Sequence, residues 1–257
     1  MKNKITCIIP ARYNSTRFPG KPLADILGKP MVWWVYEQAK RAKNLDEIIV
    51  ATDDERIVKV CDSFEIPSVM TDSSHQTAAN RLYEVSTKIE ADYYIQINGD
   101  EPLINADFIE VVVPKEIPFD VEFGSSLVCE MKEASEVLDP ANIKVVFDED
   151  ENTLYMSRAA IPHPYKRLDF KYYKHIGIIG YNKLMLKLYN ETKPGYTESI
   201  EGVDTLRFND YGKILKAFKV PNYDSLSVDT PKDLEIVTQI IKDKFKRGEL
   251  LDIKERL

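Results

Sequence analysis

The sequence predicts an α/β protein with a single doubly wound, mostly parallel sheet and a β-rich insertion. Short apolar runs alternate with segments of helical periodicity up to about residue 100. The opening run is apolar at nearly every position, which is typical of a strand covered on both faces. Polar loops follow two of these runs directly. Such loops meet at the carboxyl edge of a parallel sheet, where α/β proteins bind their ligands.

The first half of the chain has the order βαβαβ, followed by further helices and a strand. Three signals identify the helices. They are proline in the first turn, apolar residues at helical spacing, and Asp or Asn at the helix start. The predicted strands are an opening run that ends at Pro10, then 48–51, 69–70 and 93–97. The predicted helices are 30–42, 53–64 with Asp53 as N-cap, 77–89, and one that starts at Asn105 and ends before Pro114.

The second half is less regular. Strands are predicted at 124–130, 143–147, 175–179 and 214–220, and helices at 197–208 and from Thr230-Pro231 onward. We expect residues 1–257 to form one domain, with an inserted dimerisation or acceptor subregion at about 120–220 that decorates the first sheet. No linker or internal repeat marks a second domain.

Composition excludes several classes of protein. The chain has 257 residues, 44% of them hydrophobic and 30% charged, as in ordinary soluble domains. A net charge of −7 argues against a nucleic-acid partner held by a global basic field. The three cysteines are widely separated, so neither a disulfide framework nor a zinc site is indicated. No apolar run is long enough to span a membrane or to form a signal-peptide core, and we expect a cytoplasmic protein with no membrane partner.

The loop after the first strand is basic. Arg12, Arg17 and Lys21 recur within ten residues, with Ser15 and Thr16 between them. At the end of a buried strand, this cluster indicates a site for a polyanion. The alternative is a solvated surface loop.

Two aspartates are candidates for a Mg²⁺ site. Asp100 follows a predicted strand and Asp229 immediately precedes the last predicted helix. Mg²⁺ takes one or two carboxylates, with phosphates and water completing its octahedron. The alternative is that Asp100 is a turn residue and Asp229 an ordinary residue before a helix cap.

Three motifs resemble those of one enzyme family. The run PARYNSTRFPGKPL at 10–23 resembles the nucleotide-binding signature of the CMP-sugar synthetases, most closely that of the 3-deoxy-manno-octulosonate (Kdo) cytidylyltransferases. NGDEP at 98–102 and VDTPKDL at 228–234 resemble the two metal-binding motifs of that family. The resemblance implies Mg²⁺-dependent transfer of CMP from CTP to an acidic sugar, by an enzyme that is usually a homodimer.

The resemblance also assigns roles to residues. Lys21, Asp100 and Asp229 would be catalytic, and the two aspartates would hold the metal. The backbone beside the first proline of the loop would approach the base, and the cations would contact phosphates. The implied nucleotide contacts are Pro10, Ala11, Arg12, Ser15, Arg17, Lys21 and Thr77.

The motifs on the acceptor side match less well. The family pattern His-Gln-Ser/Thr-Gly-Thr-Glu-Arg is HQTAANR at 75–81, and Glu-Gln-Leu-Arg is DTLR at 204–207. The first residue of the 98–102 motif is Asn where the family has Gln. The implied acceptor contacts are Asn98, Arg158, His175, Tyr181 and Asp204.

These departures suggest the same reaction on a changed acceptor. Kdo is the default acceptor, and the alternatives are another acidic sugar, such as amino-Kdo or a nonulosonate, or a non-catalytic nucleotide-binding paralogue. We predict that Kdo is a poor or moderate acceptor and that a related acid is preferred.

Overall fold

The structure is a computed structural model, and it describes residues 2–14, 17–221, 223 and 225–257. The strands are β1 (Ile5–Ala11), β2 (Asp25–Ile26), β3 (Lys29–Pro30), β4 (Glu47–Thr52), β5 (Ser68–Met70), β6 (Tyr93–Gln96), β7 (Gly124–Met131), β8 (Lys144–Phe147), β9 (Thr153–Ser157), β10 (Tyr172–Tyr181) and β11 (Leu215–Val220). The helices are α1 (Met31–Ala39), α2 (Glu55–Ser63), α3 (Ala78–Lys88), α4 (Ala106–Val111), α5 (Ala134–Leu138), α6 (Lys183–Glu191), α7 (Tyr196–Glu201), α8 (Leu206–Asp210), α9 (Pro231–Lys246) and α10 (Leu251–Lys254).

The central sheet has the strand order β11-β7-β10-β6-β1-β4-β5. The pairs β6-β1, β1-β4, β4-β5 and β7-β11 are parallel, and β10 is antiparallel to both of its neighbours. Buried apolar clusters cover both faces of the sheet, and Ile8 and Ile9 of β1 are fully buried. The predicted fold class, a mostly parallel doubly wound sheet, is confirmed.

The carboxyl ends of β1 and β6 lie side by side, and this contact positions the site. The loop after β6 passes so close to β1 that a Cβ atom at Gly99 would lie 2.7 Å from the carbonyl oxygen of Pro10. Only glycine fits there. The loop that carries Asp100 therefore packs directly on the start of the basic loop.

The segment 120–220 supplies strands of the central sheet itself and also a hairpin at its edge. Strands β7, β10 and β11 belong to the main sheet, and the β8-β9 hairpin attaches to the edge of β10. The expectation that this segment only decorates the sheet was therefore incomplete. Its strands are antiparallel in part, so it lacks the regular βα alternation that identified the first half.

Other differences are local. The N-cap of α2 is Asp54, whose carboxylate accepts the Arg56 N–H at 2.9 Å, and not Asp53. The helix predicted at 197–208 is divided into α7 and α8 by Gly202, which has a left-handed φ of 61°. Helix α6 and strand β9 were not predicted. The capping box expected at the start of α9 is present, with Thr230 and Asp233 as its members.

All three cysteines, Cys7, Cys61 and Cys129, are buried free thiols. Within the part of the chain that the structure describes, no helix has the length and apolar character needed to cross a membrane.

Candidate active site

Lys21 lies at the centre of the site and contacts both predicted metal ligands. Its Nζ atom is 2.6 Å from Oδ2 of Asp100 and 3.4 Å from Oδ1 of Asp229. The side chain is 14% exposed. Lys21 opens a short 3-10 turn after Gly20, whose φ of 72° is left-handed. Gly20 thus redirects the chain so that Lys21 faces the ends of two other loops.

Separate backbone contacts hold the two carboxylates in place. The Val228 N–H donates to the Asp100 carbonyl at 2.8 Å, which ties the loop after β6 to the loop before α9. The Asp229 N–H donates to Oδ2 of Asp233 at 3.1 Å, so Asp229 extends the N-terminal cap of α9. The two aspartates therefore reach the same point from different loops.

The donor set at this point suits Mg²⁺. Asp100 and Asp229 already share one cation, the ammonium group of Lys21, so their oxygens converge on a single site of positive charge. Two carboxylates and open space for phosphate and water are what Mg²⁺ requires. Among the described residues, no group of three or more His, Cys, Asp or Glu side chains could hold a metal ion, so phosphate oxygens would have to complete the shell.

A cleft of about 470 Å³ lies over these residues. The predicted nucleotide contacts that it brings together are Pro10, Ala11, Arg12, Arg17, Lys21 and Thr77. Ser15 lies outside the described residues. Arg17 donates to Oδ1 of Asp229 at 2.9 Å while remaining 67% exposed. The cations of the basic loop and the two carboxylates therefore line the same cleft and contact one another.

The loop at 75–77 forms the opposite side of this cleft. His75 contacts Glu84 through Nε2 at 2.6 Å, and Thr77 caps α3 by accepting the Asn80 N–H at 3.3 Å. Burial alone would raise the pKa of Glu84, but hydrogen bonds from Lys88, from the Asp72 N–H and from His75 hold it at about 2. The carboxylate is therefore ionised and keeps the loop on α3.

A second cleft of about 790 Å³ adjoins the first and shares Ala78, Asn98, Asp204 and Asp229 with it. Four of the five predicted acceptor residues line it, namely Asn98, His175, Tyr181 and Asp204. The shared residues include a predicted metal ligand. A ligand in the second cleft would therefore reach the point where Lys21 and the carboxylates meet.

Burial changes the titration of two of these residues. Desolvation lowers the pKa of His175 to about 4, and its Nδ1 atom has no hydrogen-bond partner. His175 is therefore a neutral imidazole at neutral pH. Asp204 is open to the cleft, but desolvation by the surrounding walls, helped by the charge of Glu198, raises its pKa.

Glu101 is a buried carboxyl that the motif analysis did not single out. It is 4% exposed, accepts the Asn98 side-chain amide at 2.9 Å and accepts the Tyr223 hydroxyl. Burial raises its pKa, although both hydrogen bonds oppose that increase. A Cβ atom at Gly177 would lie 2.2 Å from Nδ2 of Asn98, so the amide needs glycine beside it. Glu101 thus sets the orientation of Asn98 in the second cleft, which is the predicted acceptor cleft.

These two clefts and their cluster of charges can be compared with known proteins. A family model described as cytidylyltransferase matches residues 6–217. The chain belongs to the cytidylyltransferase family.

Relatives of this cytidylyltransferase extend over almost its whole length. An 8-amino-3,8-dideoxy-manno-octulosonate cytidylyltransferase from Shewanella loihica is 40% identical over 236 residues, 90% of this chain and 96% of that protein. A 3-deoxy-manno-octulosonate cytidylyltransferase from Escherichia coli is 36% identical over 243 residues, 95% and 98% of the two chains. The resemblance noted in the sequence is confirmed.

A solved structure gives the same result. A CMP:2-keto-3-deoxy-manno-octonic acid synthetase complexed with CTP matches with a TM-score of 0.88 and 36% identity, and the match covers 94% of this chain and 99% of that one. This cytidylyltransferase therefore shares both the fold and the sequence family of that synthetase.

Arg158 of the cytidylyltransferase does not line either cleft. Its guanidinium donates to three carbonyl oxygens, those of Glu201 at 2.8 Å, Pro140 at 2.9 Å and Gly202 at 3.2 Å. These three carbonyls hold its planar fork away from the lining of both clefts.

Two further motif residues have structural partners. Arg207 forms a bidentate ion pair with Glu198, with contacts of 2.6 and 2.8 Å, and both side chains are almost fully buried. Asn80 bonds to Thr77 and to Asn190 of α6, outside the acceptor cleft. Of the changed motif residues, Asn80 lies outside the second cleft, whereas Ala78, Ala79, Asn98, Asp204 and Thr205 line it. Asn98 and Asp204 have the longer polar side chains of this set and are the main candidates for acceptor contacts.

Proposed function

We propose that the protein transfers CMP from CTP to a hydroxyl group of an eight-carbon 3-deoxy sugar acid, either Kdo or its 8-amino analogue, and releases pyrophosphate. The relatives named for these two acceptors cover at least 90% of the chain at 36–40% identity. The related synthetase was solved with CTP, which supports CTP as the donor.

The contact of Lys21 with both Asp100 and Asp229 carries this proposal. It lies where the two clefts meet, so a nucleotide in one cleft and a sugar acid in the other would face each other across it. A transferring phosphate needs concentrated positive charge at its oxygens and at the leaving pyrophosphate. Three cations of one loop line the first cleft together with these two carboxylates.

Each residue of the nucleotide site has a separate role in the proposed reaction. Arg12 and Arg17 meet the phosphates of CTP, and the backbone at Pro10 and Ala11 borders the base. Lys21 leaves its carboxylate partners to stabilise the charge that develops on the α-phosphate during transfer. Mg²⁺ held by Asp100 and Asp229 would polarise the α-phosphate as a Lewis acid and offset the charge of the phosphates.

The acceptor cleft positions the nucleophile. Asn98 and Asp204 offer hydrogen bonds to sugar hydroxyls, and neutral His175 offers an unpaired ring nitrogen. Holding the acceptor hydroxyl next to the α-phosphate turns a bimolecular reaction into a reaction between bound groups.

The assembly and location belong to the same proposal. We expect a homodimer formed through the 120–220 subregion, where Tyr165 and Leu168 are 87% and 84% exposed. Because CTP is a cytoplasmic metabolite, we expect the enzyme in the cytoplasm. Sedimentation of the purified protein tests the dimer.

CTP-dependent release of pyrophosphate tests the reaction. The assay combines the protein, Mg²⁺ and CTP with Kdo, its 8-amino analogue or a nonulosonate, and repeats each with UTP and ATP. We expect release with CTP and an octulosonate. Preference for a nonulosonate would change the acceptor class, and no release with any acceptor would favour a nucleotide-binding protein without catalysis.

A further inference from the structure

Two side chains outside the signature motifs, those of Asp54 and Arg56, support the basic loop through Tyr13. The Arg56 guanidinium lies 3.3 Å from the centroid of the Tyr13 ring. Arg56 is itself held by two contacts with Asp54, from Nε to Oδ1 at 2.8 Å and from Nη2 to Oδ2 at 2.6 Å. Asp54 is the N-cap of α2, so the guanidinium is fixed to the end of a regular helix. A planar cation that is already oriented loses little freedom when it stacks on an aromatic ring.

Tyr13 also meets Gly20. The Gly20 N–H donates to the Tyr13 carbonyl at 2.9 Å, which closes the loop between these two residues. A Cβ atom at Gly20 would lie 3.1 Å from the Tyr13 ring, and the φ of Gly20 is +72°. Gly20 therefore satisfies both the backbone turn and the close approach of the ring.

Gly20 directly precedes Lys21. The 3-10 turn is fixed by the Leu23 N–H, which donates to the Gly20 carbonyl at 2.8 Å. The turn therefore begins at the residue that bonds to the Tyr13 carbonyl, and Lys21 is the first residue of the turn. A continuous series of contacts runs from Asp54 through Arg56, Tyr13 and Gly20 to the lysine that contacts Asp100 and Asp229.

We propose that Arg56 and Tyr13 are positioning residues for Lys21. The inference rests on the proposed function, because it assigns Lys21 to the transferring phosphate. Arg56 lines neither cleft, so we expect an effect of its loss on turnover to pass through the loop. A small misplacement of a catalytic group costs a large factor in rate, so the stack contributes mainly to kcat.

The test is a double-mutant cycle between Arg56→Ala and Lys21→Ala. We expect Arg56→Ala to lower kcat about tenfold with the KM for CTP changed by less than about threefold. In the Lys21→Ala background, the same change should lower kcat by less than about twofold, because the group that it positions is gone. Tyr13→Phe keeps the ring and should behave like wild type, whereas Tyr13→Leu should resemble Arg56→Ala.

Arg247→Ala is the matched control. Arg247 pairs with Glu249 two residues away, as Arg56 pairs with Asp54, and both arginines are 56% exposed. Unlike Arg56, Arg247 does not stack on any described residue of the basic loop. It should leave kcat unchanged. Equal effects of Arg56→Ala in the two backgrounds, or an effect on KM alone, would overturn the inference.

A second measurement does not need turnover. Lys21 is ion-paired and little exposed, so it should react slowly with acetic anhydride, as measured by peptide mass spectrometry. Arg56→Ala should speed its acetylation about threefold or more, and Arg247→Ala should not, since only the former frees the loop. An unchanged rate refutes the positioning role. If the wild type binds CTP but releases no pyrophosphate, the proposed function fails while this measurement still decides the inference.

Discussion

The ammonium group of Lys21 lies 2.6 Å from the carboxylate of Asp100. The predicted catalytic lysine and a predicted metal ligand therefore form an ion pair with each other. This pairing fixes the two side chains relative to each other. In the proposed reaction, Lys21 exchanges its carboxylate partners for the oxygens of the transferring phosphate.

Replacing either Asp100 or Asp229 should weaken metal binding and lower turnover. We expect Asp100→Asn and Asp229→Asn each to lower kcat by at least about 100-fold, since each removes a charged ligand at the transferring phosphate. Circular dichroism should show the wild-type fold. Mn²⁺ binding in the presence of CTP, followed by electron paramagnetic resonance, should weaken in both variants. Turnover within about threefold of wild type in both would refute the two-carboxylate site.

Lys21→Ala separates binding from catalysis. If Lys21 meets charge that develops during transfer, kcat should fall by about 100-fold or more while the KM for CTP changes much less. Steady-state kinetics with varied CTP measures both constants. A change confined to KM would show that Lys21 only binds the nucleotide.

Arg158→Ala tests whether this arginine binds the acceptor. Because its guanidinium donates to three backbone carbonyls, we expect the free energy of unfolding to fall by about 1–2 kcal/mol. The KM for the acceptor should stay within about twofold of wild type. Urea unfolding and steady-state kinetics measure the two quantities. A rise in acceptor KM of about tenfold at unchanged stability would instead support the acceptor contact that the family resemblance implied for Arg158.

His175 should make stability depend on pH. Its pKa is about 4 in the folded protein and 6.5 in a model peptide, so between these values the unfolded chain binds a proton that the folded chain does not. Stability therefore falls as pH decreases from 6.5 to 4, by roughly 3 kcal/mol when complete. Thermal melts across this range should show a flatter dependence for His175→Asn. His163→Asn, at an exposed site, should keep the wild-type slope, and an equal slope in all three proteins would contradict the burial argument.

The sequence could predict those parts of the site that are carried by short, contiguous motifs. The basic loop, Asp100 and Asp229 each follow or precede a regular element, so the rule that strand ends meet at one edge was enough to bring them together. It could not place Arg158, because the carbonyls that hold its guanidinium come from two segments distant in the chain. Glu101 was missed for the same reason, since the donor on Tyr223 lies 122 residues away.

The fold, like the site, was predictable from the sequence only in part. The alternation of apolar strands and amphipathic helices predicted the first half, where each strand pairs with a parallel neighbour. Strand β10 runs antiparallel between two strands of the main sheet, and its pairing with β6 and β7 depends on contacts far apart in the chain. Periodicity carries no information about such pairing.

The acceptor cleft is rich in negative charge, and this bears on the choice between Kdo and its 8-amino analogue. Among its described lining residues, Lys174 is the one lysine or arginine, and its Nζ atom is 3.1 Å from a carboxylate oxygen of Glu136. The acidic lining residues are Glu101, Asp139, Asp204, Asp229 and Asp233. A substrate that carries an ammonium group should be favoured in such a cleft over one that carries a hydroxyl at the same carbon.

We therefore predict a higher kcat/KM for the 8-amino acid than for Kdo, by about tenfold, which corresponds to about 1.4 kcal/mol of preferential binding. The preference should shrink as salt is raised, because screening weakens the attraction between the cleft and the ammonium group. Asp204→Asn should reduce it, whereas Asp150→Asn, which changes an exposed acid outside both clefts, should not. Pyrophosphate release measured with both acceptors at low and high salt gives the ratio. A clear preference for Kdo would refute the altered acceptor and leave the cytidylyltransferase reaction in place.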